Sequence, residues 1–180
     1  MLRAELLDGT TVAFAGGADH VADACGRLGA QVRVVDAPLL DEAAVAESVD
    51  ALGAVSALVC DAATPFAAVG GGVAGLRAGM DGAWNATRAV VNSGWREDGA
   101  DGGKVVLLGP RPRDGAHASA LGAALENTAR TLSIEWARHG IRTTAIRPGD
   151  ATPDAEIAEL VAYLVSPAGD YFSGCAFTLR

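Results

Sequence analysis

Two acids and a pair of glycines offer the first recognisable chemistry in this chain. Gly16 and Gly17 close the apolar run that begins at Thr11 and precede a helical pattern. A glycine turn in that place lets a diphosphate lie against the N-terminus of the following helix. Asp36 comes about twenty residues later, at the end of a second strand-like run, where a carboxylate can accept hydrogen bonds from a ribose. A solvated strand-end acid ahead of Pro38 is the other reading of Asp36. Asp19 and His20 stand in the turn. Asp19 acts in the opposite direction: a carboxylate repels a diphosphate, so nucleotide binding through this turn is expected to be weak or absent. Asp61, a short acceptor, follows the third apolar run. Gly16, Gly17, Asp36 and Asp61 are therefore the candidate cofactor-binding residues. A histidine side chain can carry a proton, so His117 is a candidate for that role, with Ser119 two positions on. Cys25, Cys60 and Cys175 are too far apart for a disulfide framework or a metal knuckle and read as small buried apolar residues, so no metal is expected.

The elements that must position these groups alternate regularly. Thr11 to Gly16, Gln31 to Asp36, Val55 to Cys60, Val105 to Gly109, Thr143 to Ile146 and Phe172 to Leu179 read as strands. Helices are expected over Ala18 to Gly29, from Asp41 onward, over 73–91, over 116–139 and over Glu156 to Val165. In the fourth of these, Leu121, Leu125, Thr128, Leu132 and Trp136 fall on one face, and Gly140 ends it. Leu76, Met80, Ala83, Thr87 and Val91 form the corresponding stripe of the third. Thr152, Pro153 and Asp154 make a helix start with proline in the first helical position. Thr64 to Gly72 reads as a Gly/Ala-rich connection and Ser93 to Gly103 as a polar loop. Strand, helix, strand in succession predicts an α/β protein: a Rossmann-like doubly wound parallel sheet of about six strands with helices on both faces, as a single domain over 1–180.

Composition narrows the setting. With 22 acidic against 14 Lys and Arg residues the net charge is −8, the wrong sign for gripping phosphate backbones, so nucleic acid is not an expected partner. Half the residues are hydrophobic, yet no run approaches the roughly 18 to 20 apolar residues of a membrane span. The opening MLRAELLDG is too short and too acidic for a signal peptide, and a cytoplasmic location is expected.

The run TARTLSIEWARHGIRTTAIRPG resembles the second half of a short-chain dehydrogenase/reductase, as does WNATRA at positions 84–89. The resemblance implies a Tyr-x-x-x-Lys pair at the start of the helix that carries Ala123, Ala124 and Leu125. Here the tyrosine position is Ala118 and the lysine position Gly122. The family's catalytic asparagine falls on Gly79, and its serine on the turn Leu108, Gly109, Pro110. His117 neighbours the tyrosine position but points about 100° away from it on a helix. Two further departures are deletions: DEAAV at Asp41 to Val45 follows the second strand after only four residues, leaving that strand at the sheet edge, and the substrate lid after Gly149 is cut to almost nothing. Two functions remain in view. One is a non-catalytic structural or regulatory subunit, homo-oligomeric through helices 73–91 and 116–139, with or without a catalytic relative. The other is an NAD(P)-dependent oxidoreductase with a rebuilt or partner-completed site using His117, Asp61 or a partner's residues. Small residues at Ala116, Ala120, Ala123, Ala124, Gly75, Gly79 and Gly82, with Trp84 and Trp136 as anchors, are the expected interface.

Overall fold

A computed structural model describes residues 2–97 and 100–180. Met1, Asp98 and Gly99 lie outside the described residues, so the start of the chain and the middle of the Ser93 to Gly103 segment are not placed. Strands β1 (Thr11–Ala15), β2 (Gln31–Val34), β3 (Ala57–Asp61), β4 (Lys104–Leu108), β5 (Arg142–Arg147) and β6 (Cys175–Thr178) form one sheet in the order β2-β1-β3-β4-β5-β6. Every pairing is parallel. The six-stranded parallel sheet is the one expected, with β2 at its edge.

Alternation along the strands divides the core. Ala13, Ala15, Leu58, Cys60, Val105, Leu107 and Ala145 face one side, packed with residues of α2 (Glu42–Leu52), α4 (Gly72–Val90) and α5 (Ala118–Glu135). Val12, Phe14, Val59, Val106, Leu108 and Ile146 face the other, against α1 (Asp19–Arg27) and α6 (Asp154–Val165). Successive side chains of a strand point to opposite faces, so a strand buried on both reads as an unbroken apolar run. Asp41 starts α2 by accepting the Ala43 and Ala44 amides at 3.1 Å each. Gly140 ends the turn after α5 in the left-handed region, φ 68°.

The structure corrects several boundaries. A short helix, α3 (Ala63–Ala68), occupies the start of the expected Thr64 to Gly72 connection. The expected loop from Ser93 begins inside a wide helical turn, Val91–Trp95, and Trp95 is buried with its indole N–H donating to the Val55 carbonyl at 2.8 Å. The long helix runs from 118 to 135, not 116 to 139; His117 precedes it in the left-handed region, φ 71°, and a short 3-10 turn, Ala137–His139, follows it. Pro153 caps α6 rather than lying inside it, and the last strand is Cys175–Thr178. The stripe of α4 is rotated from the expected one: Gly75, Ala78, Gly79, Gly82, Ala83, Ala86, Thr87 and Val90 are buried, while Leu76 and Met80 are half-buried. Cys25 and Cys60 are buried as expected, whereas Cys175 is half-buried. No helix among the described residues is long and apolar enough to cross a membrane.

Candidate functional site

The C-terminal ends of β1, β2 and β3 come together at one side of the sheet, where open parallel sheets place their ligand crevices. Gly16 and Asp36 line one cleft of about 590 Å³ there, with Val35, Pro38, Leu40, Thr64, Pro65 and Val69 among its walls. Gly16 must be glycine: its φ is +96°, and a β-carbon would stand 2.5 Å from the Asp61 carbonyl oxygen. Asp36 is exposed, and its amide donates to Ser48 Oγ at 2.9 Å.

Asp61 is turned inward. It is 7% exposed, its Oδ1 accepts the Ala63 amide at 2.9 Å and its Oδ2 accepts the Thr64 hydroxyl at 2.7 Å. Thr64 Oγ1 in turn accepts the Gly17 amide at 3.1 Å. This chain of bonds ties the end of β3 and the start of α3 to the glycine turn after β1. The Asp61 side chain thus braces the start of α3, and the chain of bonds uses the Gly17 N–H, one of the groups that a diphosphate on the turn would need. Asp61 also lines a smaller hollow of about 120 Å³ with His20, Gly109, Pro110 and Arg111. Thr64 was not legible as a functional group, although the three-residue spacing Asp61 to Thr64 is that of a helix-start acid and its hydroxyl partner.

The four positions where the resemblance places catalytic groups hold no polar side chain, and at Gly79 packing leaves no room for one. A β-carbon at Gly79 would lie 2.4 Å from Leu121 Cδ2 and 3.1 Å from the Ala62 carbonyl oxygen, so Leu121 occupies the room of an asparagine side chain. A β-carbon at Gly122 would rest on the Arg147 side chain, 3.4 Å from Nε. Arg147 is held there by Glu126 Oε2 at 2.8 Å. At Gly109 a β-carbon would be 3.4 Å from the Gly122 Cα, which brings the end of β4 against α5. Ala118 is 1% exposed. His117 is exposed and its carbonyl accepts the Leu121 amide at 2.9 Å. It is not among the residues lining the clefts described above.

Where the resemblance places a lid, the chain is stitched down. The Arg111 guanidinium donates to the carbonyls of Gly149, at 3.1 Å, and Thr152, and pairs with the Asp154 carboxylate. Arg113 donates to Asp150 through both its amide and its guanidinium, at 2.8 and 2.7 Å. Thr152 Oγ1 accepts the Gly149 amide and donates to the Arg180 carbonyl.

Neither a protein-family model nor a curated protein sequence matches the chain. Solved structures do. The citronellol catabolism dehydrogenase of Pseudomonas aeruginosa superposes with a TM-score of 0.79 at 22% identity, over 99% of this chain and 96% of that one. This chain has the fold of a short-chain dehydrogenase. Two further structures with that fold carry nucleotides: BdcA from E. coli in complex with NADPH, with a TM-score of 0.71 at 20% identity over 97% and 94% of the two chains, and a 3-oxoacyl-[acyl-carrier protein] reductase with bound NAD from Brucella melitensis, with 0.73 at 16% over 97% and 91%. A nicotinamide dinucleotide fits the short-chain dehydrogenase fold of this chain only in part. The Asp36 cleft has room beside an acceptor for ribose hydroxyls. The Gly17 amide is taken, Asp19 stands in the first turn of α1, and Leu121 and Arg147 occupy space beside Gly79 and Gly122.

Proposed function

We propose that the chain is a non-catalytic member of the short-chain dehydrogenase/reductase family, acting in the cytoplasm as a structural or regulatory subunit of an oligomer. The observation that carries the reading is Leu121 against Gly79, together with Arg147 against Gly122. A site that had only lost its polar groups would keep a cavity for substrate. Here Leu121 stands in the place of the asparagine, and the cation beside the lysine position, Arg147, is already paired with Glu126, which supports a site without the family's proton donor or carbonyl partner.

Assembly through the outer faces of α4 and α5 follows from what those helices leave uncovered. Val73 and Ile134 are 68% and 76% exposed and Trp84 43%, while Ala116, Ala120 and Ala123 are exposed and Ala124 half-buried. Apolar side chains in water on two adjacent helices suit a second copy or a catalytic relative. The glycines 75, 79 and 82 take no part, since they pack within the chain against Phe66, Leu121 and Leu39, and Trp136 packs partly against the core. Light scattering coupled to size exclusion at tens of micromolar is expected to give a dimer or larger species, and affinity purification from the native cell tests for a heteromeric partner. A clean monomer with no co-purifying chain would contradict the subunit reading.

The second reading, an NAD(P)-dependent oxidoreductase with a rebuilt or partner-completed site, is favoured by one observation: Gly16 and Asp36 share a cleft. Turnover that vanishes in His117→Ala would promote it.

A further inference from the structure

The two edges of the sheet are not covered alike. β6 is half-buried at Cys175, Ala176 and Phe177, and the Phe177 ring meets that of Phe172 edge-on, with centroids 5.4 Å apart. β2 is exposed at Gln31, Arg33 and Val34. Its pairing with β1 is regular, without a bulge, and it decides which backbone groups are free. The Gln31 and Val35 amides donate to the carbonyls of Thr10 and Phe14, at 2.9 and 2.8 Å. Alternate residues of a strand bond to the same neighbour, so Val32 and Val34 turn their N–H and C=O groups away from β1. On either side of this outward pair the chain satisfies itself: the Ala30 amide donates to the Cys25 carbonyl at 3.1 Å, and the Asp36 amide to Ser48 Oγ of α2 at 2.9 Å. Among the described residues, nothing pairs with the outward groups of Val32 and Val34. Such unpaired groups are a template for a strand of another chain.

The side chains on this edge specify that strand. Val32 and Val34 stand beside Val12 and Phe14, on the α1 side of the sheet, and Val34 is 56% exposed. Arg33 stands beside Ala13, on the other side; it is exposed and forms no ion pair with a described residue. An incoming strand is therefore favoured by apolar side chains next to the two valines and by an acid next to Arg33. A second copy does not meet this pattern. The two-fold antiparallel register that would pair all the outward groups of Val32 and Val34 sets the two copies of Arg33 directly opposite each other, and like charges so placed are destabilising.

We infer that the β2 edge is a docking site for an extended segment of a different protein, one in which a single acidic residue lies between two apolar ones, and that this segment adds a seventh strand to the sheet beside β2. The inference goes beyond the subunit reading, since β2 takes no part in the faces of α4 and α5 proposed there, and either can fail without the other.

Two short peptides, acetylated and amidated at their ends, test it on the full chain: one with Val-Glu-Val at its centre and one with Val-Lys-Val. Binding is followed by titration and by hydrogen exchange at the Val32 and Val34 amides. The acidic peptide is expected to bind about threefold or more tighter than the basic one and to slow exchange at both amides. In Arg33→Glu the order of the two peptides should reverse. In Val34→Pro, which deletes an outward N–H while the Val35 bond to β1 stays, binding should be lost; urea unfolding checks that this variant is folded, and Arg33→Glu carries the test if it is not. Absence of binding by both peptides, equal affinity for the two in the parent, or an order unchanged in Arg33→Glu would overturn the inference. So would undiminished binding in Val34→Pro. Protection of Val32 and Val34 that rises with protein concentration and no peptide would also overturn it, because the occupant would then be a second copy.

Discussion

Leu121 of α5 stands where a β-carbon on Gly79 of α4 would have to go, 2.4 Å from its Cδ2. The two helices pack side by side at this point, and the pair behaves as one unit of volume. Gly79→Ala is expected to cost about 1–3 kcal/mol through overpacking, despite the better helix propensity of alanine. Leu121→Ala, which removes a fully buried side chain, should cost about 2–5 kcal/mol. In the double variant the new methyl takes up part of the vacated space, so the two costs should fall short of additivity by about 0.5–3 kcal/mol. Urea unfolding of the three variants checks this; strict additivity would mean that the residues do not share a site.

The bonds from Asp61 through Thr64 to Gly17 give a second expectation. Asp61→Ala leaves the Ala63 amide without its acceptor and frees the Thr64 hydroxyl. Ala63 is half-buried, so a loss of about 1 kcal/mol is expected. Thr64→Val removes the acceptor of the Gly17 amide while keeping the shape, so hydrogen exchange at Gly17 should quicken in both variants. Unchanged protection at Gly17 would contradict the link.

Much of this was legible in the sequence because it is local. Val12 and Phe14 alternate with Ala13 and Ala15 across the sheet, and a strand buried on both faces must read as continuous apolar sequence. Asp41 and Gly140 mark helix ends through their own backbone chemistry. α3 was hidden since it is six residues long, rich in alanine, contains Pro65 and is braced by an acid outside it. Trp95 was hidden for a different reason: the carbonyl that accepts its indole N–H belongs to Val55, forty residues away. Gly75, Gly79 and Gly82 announce close approach, but small residues carry no record of what approaches. The partners turned out to be Phe66, Leu121 and Leu39 of the same chain. Likewise nothing in Ile-Arg-Pro-Gly foretells that Arg147 reaches Glu126 and covers Gly122.

Lys104, at the start of β4, ties the end of α6 to the turn after it. Its ammonium donates to the carbonyls of Val165, at 3.3 Å, and Ser166, and pairs with Asp170 at 2.6 Å. The hydrogen bond from Lys104 holds the Asp170 carboxyl below its ordinary value of 3.8, aided by the charges of Lys104 and Arg142 and opposed by slight burial. A folded-state pKa below the unfolded one means stability that is present above the unfolded value and lost as the pH falls through the folded one. The parent should therefore exceed Asp170→Asn in stability at neutral pH, and the gap should close below about pH 4. Urea unfolding across pH 2 to 7 measures it; a gap that does not change with pH would contradict the pairing.

The proposed absence of catalysis follows from Leu121 standing against Gly79 and from Ala118 and Gly122 at the start of α5. Absorbance at the reduced-nicotinamide band, followed with the purified protein and a panel of ketones, alcohols and acyl thioesters, tests it most directly. No rate above the uncatalysed background is expected with either NAD(H) or NADP(H), in the parent and in His117→Ala alike. Steady turnover in the parent that disappears in His117→Ala would contradict it.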